Sequence, residues 1–199
     1  MRPEAESKAV LRCGRCGRVA AWPEARLQVV CGCRPRVDLA PPLVREASAT
    51  DRELADDIFR REFGGRQLVA DGEPVAAARA DLLVAENEGG VAGALAWRQL
   101  PDALHIIALA TDPMWQRGGV GSYLLAEAEL LARKLLLARV IVTVSNDNIP
   151  AQYFYQRRGY RVTKVLPGAI AAQPRNHGLI GFADIPIVDE IQLAKDLPA

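Results

Sequence analysis

Three glycines within four residues stand between a run of strand-forming residues and a long stretch with helical spacing. They are Gly118, Gly119 and Gly121, and the helical stretch that follows contains neither proline nor glycine. Glycine lets the backbone approach a ligand closely, and the first turn of a helix points unpaired N–H groups outwards. This glycine turn is therefore a candidate site for an anion such as a phosphate group.

Two other phosphate-binding patterns do not fit the glycine turn. A P-loop ends in a lysine followed by a hydroxyl residue, and this stretch has neither the lysine nor that spacing. A dinucleotide-binding fingerprint that begins at Gly119 would need a small residue where Leu124 stands and an acidic residue ending the next strand. A turn that only permits tight packing remains the alternative.

Four cysteines near the N-terminus form a second group with chemical potential. Cys13 and Cys16 are spaced as C-x2-C, and Cys31 and Cys33 follow after 14 residues as C-x-C. Two pairs of thiolates on tight glycine-bearing turns are typical of a zinc ribbon, in which a structural Zn²⁺ has four sulfur ligands. An iron–sulfur cluster, two disulfides or four unconnected thiols are the alternatives that the spacing leaves open.

Residues 148–160 carry a further pattern, N-x2-A-x2-(apolar)-Y-x3-G-(aromatic). Its members are Asn148, Ala151, Phe154, Tyr155, Gly159 and Tyr160. This pattern follows the Q/R-x-x-G-x-G/A pattern of Gln116 to Gly121 by about 30 residues. With both patterns in this order, the sequence resembles the GNAT superfamily of N-acetyltransferases. The resemblance covers residues 43–199 and leaves the cysteine module outside it.

The resemblance implies acetyl-coenzyme A as cosubstrate, with its diphosphate at the glycine turn. It also implies that the strand before the turn separates from the strand that follows the helix and pairs with the pantetheine amides. The cofactor-binding residues that the resemblance implies are Leu109, Thr111, Gln116, Arg117, Gly118, Gly119, Val120, Gly121, Ser122, Asn148 and Tyr155.

Acetyl transfer to an amine requires a neutral nitrogen and a proton for the leaving thiolate. Deprotonating an amine of pKa 10.4 at pH 7 costs about 4.6 kcal/mol, so a positioned base and acid are useful. By the resemblance, Tyr155 is the candidate acid and His105 the candidate base. Glu86, on the neighbouring strand of the predicted hairpin, is a weaker candidate base. Simple alternation along the strand places His105 on the same face as Leu109 and Thr111. A relayed water or a purely structural histidine remains the alternative to His105.

The periodicities between these residues predict an α/β fold with a mixed, mostly antiparallel central sheet flanked by helices. We expect a strand at 43–48, a helix over 51–63 capped by Thr50 with Glu53, and a hairpin over 81–100. Further strands are expected around 104–111, 139–145, 160–166 and 185–197, with an irregular stretch at 167–185. The predicted domains are a zinc-ribbon-like module and linker at 1–40 and a GNAT-like domain at 41–199.

Charge and composition narrow the remaining classes of function. The 199 residues have a net charge of +1, but residues 1–40 hold eight Arg or Lys against four Asp or Glu. This basic module is a candidate for contact with a protein or RNA, besides the amine acceptor. No signal peptide or membrane span is expected, so we predict a cytoplasmic protein, and a homodimer is one option. The competing function is a zinc-dependent binding or regulatory protein whose GNAT-like domain only senses acyl-CoA.

Overall fold

The computed structural model describes residues 10–12, 19–21, 41–64, 67–87, 90–116 and 118–198. The chain divides into two units, Met1–Leu39 and Ala40–Ala199. In the first unit, β1 (Val10–Arg12) pairs antiparallel with β2 (Val19–Ala21). The four cysteines lie outside the described residues, so the zinc site remains a prediction. Among the described residues, no group of three or more His, Cys, Asp or Glu side chains is placed to hold a metal.

The second unit contains nine strands and three α-helices within its described residues. In chain order these are β3 (Leu43–Glu46), α1 (Ala49–Phe63), β4 (Leu68–Ala70), β5 (Glu73–Val75), β6 (Asp81–Asn87), β7 (Gly90–Gln99), β8 (Ala103–Thr111), α2 (Val120–Lys134), β9 (Arg139–Ser145), α3 (Ile149–Gln156), β10 (Arg161–Leu166) and β11 (Glu190–Asp196). No described helix is both long and apolar enough to span a lipid bilayer.

Seven of these strands form one sheet in the order β10-β11-β9-β8-β7-β6-β3. Every neighbouring pair is antiparallel except β8 and β9, which run parallel because helix α2 connects them. This arrangement confirms the predicted mixed, mostly antiparallel sheet with flanking helices. The strands β4 and β5 form a separate two-stranded hairpin that the sequence reading did not predict.

Helix α1 begins earlier than its sequence suggested. Its N-cap is Ser48, whose side chain accepts from Asp51 N, while Asp51 Oδ2 accepts from Ser48 N at 2.7 Å. The expected cap at Thr50 with Glu53 is therefore wrong, because the capping pair with the same three-residue spacing occurs two residues earlier. The helix ends, as predicted, at Gly64, which has φ 62°.

Helix α2 packs against the sheet through a stripe of buried residues at helical spacing. They are Val120, Leu124, Leu125, Ala128 and Ala132. The helix can approach β7 closely because a glycine lies beneath its first turn. A Cβ at Gly93 would lie 2.8 Å from Val120 Cγ1 and 2.9 Å from Ala110 O. Gly93 therefore fixes the height of the first turn above the sheet.

Candidate functional site

A cleft opens where the parallel strands β8 and β9 separate. Their pairing ends at Ile106 opposite Val142, while the rest of β8 stays paired with β7 and the rest of β9 with β11. The backbone edges that face each other across the gap, at 107–111 and 143–145, are therefore available to a ligand that carries amide groups. This is the strand separation that the resemblance to the GNAT superfamily implied.

The cleft holds about 570 Å³ of space, part of it open to solvent. Its described lining is mostly apolar, with hydroxyl and amide groups at a few positions. The lining residues are Phe63, Gln67, Leu68, Val69, Ile107, Ala108, Leu109, Thr143, Val144, Ser145, Asn148, Ala151, Tyr155, Ile170 and Ile187. A pocket with few polar groups suits a ligand whose orientation is set by a small number of hydrogen bonds.

A bulge in β8 changes which side chains share a face. Ile106 pairs with Trp97 and Ala108 with Ala96, so Ile107 is an extra residue in β8. Before the bulge, Leu104 and Ile106 pack on the α2 side of the sheet. After it, Leu109 packs on that side. The predicted common face for His105 and Leu109 is therefore wrong, since the extra residue reverses the alternation between them.

The glycine turn has the geometry of an anion site. Gly119 is the N-cap of α2 with φ 89°, a conformation that favours glycine. Its carbonyl accepts from Ser122 N at 2.8 Å and Tyr123 N at 3.2 Å. The N–H groups of Val120 and Gly121 precede these and point out of the first helical turn. A Cβ at Gly121 would lie 3.3 Å from Leu109 Cδ2.

Three more of the predicted cofactor residues, Gln116, Thr111 and Gly118, lie in this turn or contact it. Gln116 Nε2 lies 3.3 Å from both Thr111 O and Glu62 Oε2, so its amide ties the turn to the end of β8 and to α1. Thr111 Oγ1 would lie 3.7 Å from a Cβ at Gly121. Gly118 N donates to Trp115 O at 3.2 Å and closes the turn. Arg117 lies outside the described residues, so its predicted contact remains a prediction.

An arginine that the sequence reading did not select brings positive charge to the turn. Arg158 Nη2 donates to Ser122 Oγ at 2.6 Å, and its guanidinium stacks 3.7 Å from the centroid of the Phe154 ring. Burial lowers the pKa of Arg158, but an arginine remains protonated at neutral pH. The cation lies at a helix N-terminus, where it adds to the attraction that the helix dipole exerts on an anion.

Helix α3 presents Asn148, Ala151 and Tyr155 to the cleft. Asn148 is the N-cap, with Oδ1 accepting from Ala151 N at 3.1 Å, and Pro150 lies in the first turn. Tyr155 is buried and packs edge-on against Phe154 and Tyr160, with ring centroids 5.1 and 5.6 Å away. Burial raises the pKa of Tyr155 above its usual value of 10, so the hydroxyl keeps its proton at neutral pH.

His105 does not line the cleft. It is fully buried, with Nε2 2.8 Å from Thr143 Oγ1 and Nδ1 3.3 Å from Arg98 Nη2. Burial, together with the nearby Arg98 charge, lowers the pKa of His105 to about 4. The ring is thus neutral at pH 7 and separated from the cleft by Thr143. Glu86, the weaker candidate base, is paired with Arg45 at 2.9 Å and lies away from the described lining.

The opposite wall of the cleft is made by the β4–β5 hairpin and by the connection 167–189. Asn176 is fully buried and holds these two segments together, since it accepts from Gln67 N at 2.9 Å and donates to Gln67 O at 2.7 Å. Glu190 accepts from Asp71 N at 2.9 Å and Gly72 N at 2.8 Å. Both anchors connect segments more than 100 residues apart.

The three polar residues after β9 anchor the connection 167–189 and the start of α3. Asn146 Oδ1 accepts from Val188 N and Asp189 N, which secures the end of the connection 167–189. Asp147 Oδ2 accepts from Phe182 N at 3.1 Å. With Asn148 as the cap of α3, one short turn therefore fixes both walls at the end of the cleft.

One buried polar atom of the cleft is left without a partner in the described residues. Ser145 is 8% exposed, lines the cleft, and has no hydrogen-bond partner for its Oγ. A buried hydroxyl without a partner is costly, and a bound ligand can satisfy it. The unpaired strand edges, the Ser145 hydroxyl and the glycine turn together fit a long ligand with amides along its middle and an anionic group at one end.

Comparisons with known proteins agree with this geometry. A model described as the Acetyltransferase (GNAT) family matches residues 45–160. The uncharacterized protein YxbD of Bacillus subtilis strain 168 is 30% identical over 152 residues, which cover 73% of this chain and 93% of YxbD.

Solved structures share the fold at lower identity. A GNAT family acetyltransferase from Elizabethkingia anophelis with acetyl-CoA bound has a TM-score of 0.60 at 19% identity, covering 79% of this chain and 99% of that one. The ribosomal-protein-S18-alanine N-acetyltransferase from Escherichia coli has a TM-score of 0.58 at 19% identity, covering 79% and 94%.

Proposed function

Since the chain belongs to the acetyltransferase (GNAT) family, we propose that it transfers an acetyl group from acetyl-CoA to a primary amine, directly and within a ternary complex. The observation that carries the proposal is the separation of β8 from β9 beside a helix N-terminus with a glycine cap. An acyl thioester that lies between the strands would have its diphosphate at Gly119 and its reacting end where the strands meet.

The chain supplies several groups to hold acetyl-CoA in this position. The Val120 and Gly121 N–H groups and the Arg158 charge suit the diphosphate, because both favour an anion at the helix N-terminus. The edges at 107–111 and 143–145 suit the pantetheine amides. When bound, acetyl-CoA supplies the activated acyl group.

Tyr155 is the residue that we assign to proton donation. It lines the cleft, and its raised pKa keeps the hydroxyl protonated until the transfer needs a proton. The departing sulfur carries the electron pair of the broken C–S bond and requires that proton. The amine nitrogen loses its own proton, and we assign this step to water, because neither His105 nor Glu86 lines the described cleft.

The acceptor enters, in this proposal, between the β4–β5 hairpin and the connection 167–189. The side chains of Phe63, Leu68, Ile170 and Ile187 make this part of the lining apolar. This apolar lining fits an amine on a small molecule, and it also fits a protein N-terminus or a lysine side chain. The S18-alanine acetyltransferase with the same fold acts on a protein amine.

A turnover screen tests the proposal. Release of free CoA is measured with acetyl-CoA and four classes of amine: peptide N-termini, peptide lysines, polyamines and small amino compounds. At least one class should give turnover that requires the amine. Tight acetyl-CoA binding with no turnover on any class would instead support the competing role as an acyl-CoA sensor.

We also propose that the basic N-terminal unit is a structural zinc module that contacts a protein or RNA. The β1–β2 pairing supports this, because it brackets the segment that contains Cys13 and Cys16. Elemental analysis of purified protein should find about one zinc per chain. Four freely titrating thiols in the native protein, without zinc, would contradict the proposal.

A further inference from the structure

Thr143 occupies the point of the cleft where the two strands part. It is the first residue of β9 beyond the last pair, Ile106 opposite Val142, and it lines the cleft. Its Oγ1 is 2.8 Å from Nε2 of the fully buried His105. Within the described residues, the histidine therefore reaches the cleft only through this hydroxyl.

The protonation of His105 follows from its neighbours. Arg98 Nη2 is 3.3 Å from Nδ1 and 2.7 Å from Asp71 Oδ2, and its two protons can serve both acceptors. A guanidinium only donates, so Nδ1 accepts in its contact with Arg98. The carboxylate oxygen Asp71 Oδ2 lies farther from Nδ1, at 3.6 Å, beyond hydrogen-bond range. In a neutral imidazole the other nitrogen then carries the proton, and Nε2 donates to Thr143 Oγ1.

The direction of the Thr143 hydroxyl follows in turn. Its oxygen already accepts from His105, so its own proton is free for another acceptor. No described residue provides that acceptor in hydrogen-bond range, and the side chain lines the cleft. Arg98, His105 and Thr143 thus form a chain of hydrogen bonds that ends in a donor directed at the cleft.

We propose that Thr143 is a catalytic residue, whose hydroxyl donates a hydrogen bond to the carbonyl oxygen of the acyl thioester. This inference rests on the proposed function. The amine lone pair forms the C–N bond and negative charge develops on that oxygen. The C–S bond then breaks, its electron pair goes to sulfur, the sulfur gains a proton from Tyr155, and the amine loses one to water. A donor aimed at developing charge stabilises the transition state more than the ground state.

His105 does not act as the base in this arrangement. A base at Nε2 would need the lone pair that, in this tautomer, lies on Nδ1. His105 and Arg98 are therefore positioning residues that orient the Thr143 hydroxyl. The charged groups around the ring are Arg98, Asp71, Glu190 and Lys164.

The Thr143→Val variant removes the hydroxyl and keeps the branched shape. Its kcat should fall by about 10²-fold, the usual effect of losing one such donor, while its Kd for acetyl-CoA stays within about tenfold. The infrared carbonyl band of bound acetyl-CoA, labelled with ¹³C at the carbonyl, should lie at higher frequency in Thr143→Val than in wild type. Thr143→Ser keeps the hydroxyl, so its kcat and its carbonyl band should both lie close to those of wild type. Thr163→Val, on the exposed strand β10, is the matched control and should behave as wild type.

Two measurements test the positioning role separately. ¹⁵N NMR of the native protein should show His105 protonated at Nε2 and not at Nδ1. His105→Gln, whose amide can still donate to Thr143, should retain more activity than His105→Leu. The deficit of His105→Leu should be the same from pH 6 to pH 9, whereas loss of a base would matter less as the pH rises.

Several outcomes would overturn the inference. An unchanged carbonyl band and kcat in folded Thr143→Val would do so, as would Thr143→Ser behaving like Thr143→Val. A proton on Nδ1 of His105 would reverse the hydrogen-bond chain and remove its basis. If wild type binds no acetyl-CoA, the proposed function fails and the inference fails with it, whereas binding with an unchanged band defeats the inference alone.

Discussion

The two sides of the cleft are constructed in different ways. The cofactor side is formed by the glycine turn of α2 and by α3. The start of each helix is fixed by hydrogen bonds between residues close in sequence: Gly119 with Ser122, and Asn148 with Ala151. The acceptor side, formed by the β4–β5 hairpin and the connection 167–189, depends on hydrogen bonds between residues 101 to 121 positions apart. A local pattern can therefore specify the cofactor side, while the acceptor side exists only after the whole sheet has formed.

The contrast has a functional counterpart. Acetyl-CoA is the same molecule for all its enzymes, so the cofactor side suits a short fixed motif of helix N-terminus and glycine. The acceptor side must match one particular amine, and its anchors at Asn176 and Glu190 belong to no short pattern. We therefore expect substitutions on the acceptor side to change the acceptor KM, and substitutions on the cofactor side to change acetyl-CoA affinity or kcat.

The largest effect on stability should come from an acceptor-side anchor. Glu190→Ala leaves the N–H groups of Asp71 and Gly72 without their acceptor, which should lower the free energy of unfolding by about 3 kcal/mol. Urea titration measures this loss. The acceptor KM should rise, because the hairpin carries Leu68 and Val69 of the cleft, while the Kd for acetyl-CoA stays near wild type. Glu73→Ala, exposed in the same hairpin, is the control; a similar loss there would contradict the anchoring role.

A large effect on the chemical step should come from Tyr155. Tyr155→Phe keeps the ring and its edge-on contacts but removes the proton, so kcat should fall by about 10²-fold, or about 2.7 kcal/mol. Calorimetry should show little change in acetyl-CoA affinity. Wild-type kcat in this variant would mean that the proton for the sulfur comes from elsewhere.

A smaller effect is expected from the cation beside the glycine turn. Arg158→Met keeps an apolar chain against Phe154 but removes the charge near Ser122, and should raise the Kd for acetyl-CoA about tenfold. Higher salt should reduce the difference from wild type. Arg157→Met, the exposed neighbour that contacts Tyr153, is the control, and an equal effect there would indicate non-specific attraction.

A further effect concerns the pH dependence of stability. The folded pKa of His105, about 4, lies below its usual 6.5, so the unfolded chain binds the proton more tightly. Stability should therefore fall as the pH drops from about 6.5 to 4, by about 1 kcal/mol per pH unit. The lowered pKa values of Asp51 and Asp71 act in the same direction below about pH 5.

Denaturation of the His105→Gln variant tests this window. The variant should lose the slope between pH 6.5 and 5, while His177→Gln, at the exposed histidine of the connection, should retain it. A slope that survives in His105→Gln would mean that another group is titrating.

The same difference between the two sides explains what could be predicted from sequence. The glycine spacing pointed to the turn before α2, and the pattern from Asn148 to Tyr160 pointed to Tyr155. Both could be predicted because each pattern lies within a single strand-to-helix segment. The β4–β5 hairpin was missed, since its strands have three residues each and are held by Glu190 about 120 positions away.

The position of His105 shows a second reason. Alternation along β8 failed because the extra residue Ile107 reverses the faces, and a bulge of this kind has no signal in a run of apolar residues. A similar reason explains why Thr143 and Arg98 were not identified from the sequence. Their contacts with His105 cross between neighbouring strands and depend on register.

The most direct test of the central claim is calorimetric titration of acetyl-CoA into wild type, Gly119→Glu and Gly168→Glu. Both variants place glutamate at a positive φ, 89° and 73°, so each should lose about 1–2 kcal/mol of stability through strain. Only Gly119→Glu introduces a carboxylate where we place the diphosphate. We expect wild type and Gly168→Glu to bind with similar affinity and Gly119→Glu to show no measurable binding. Unchanged affinity in a folded Gly119→Glu protein would contradict the claim that acetyl-CoA lies between β8 and β9 with its diphosphate at this helix.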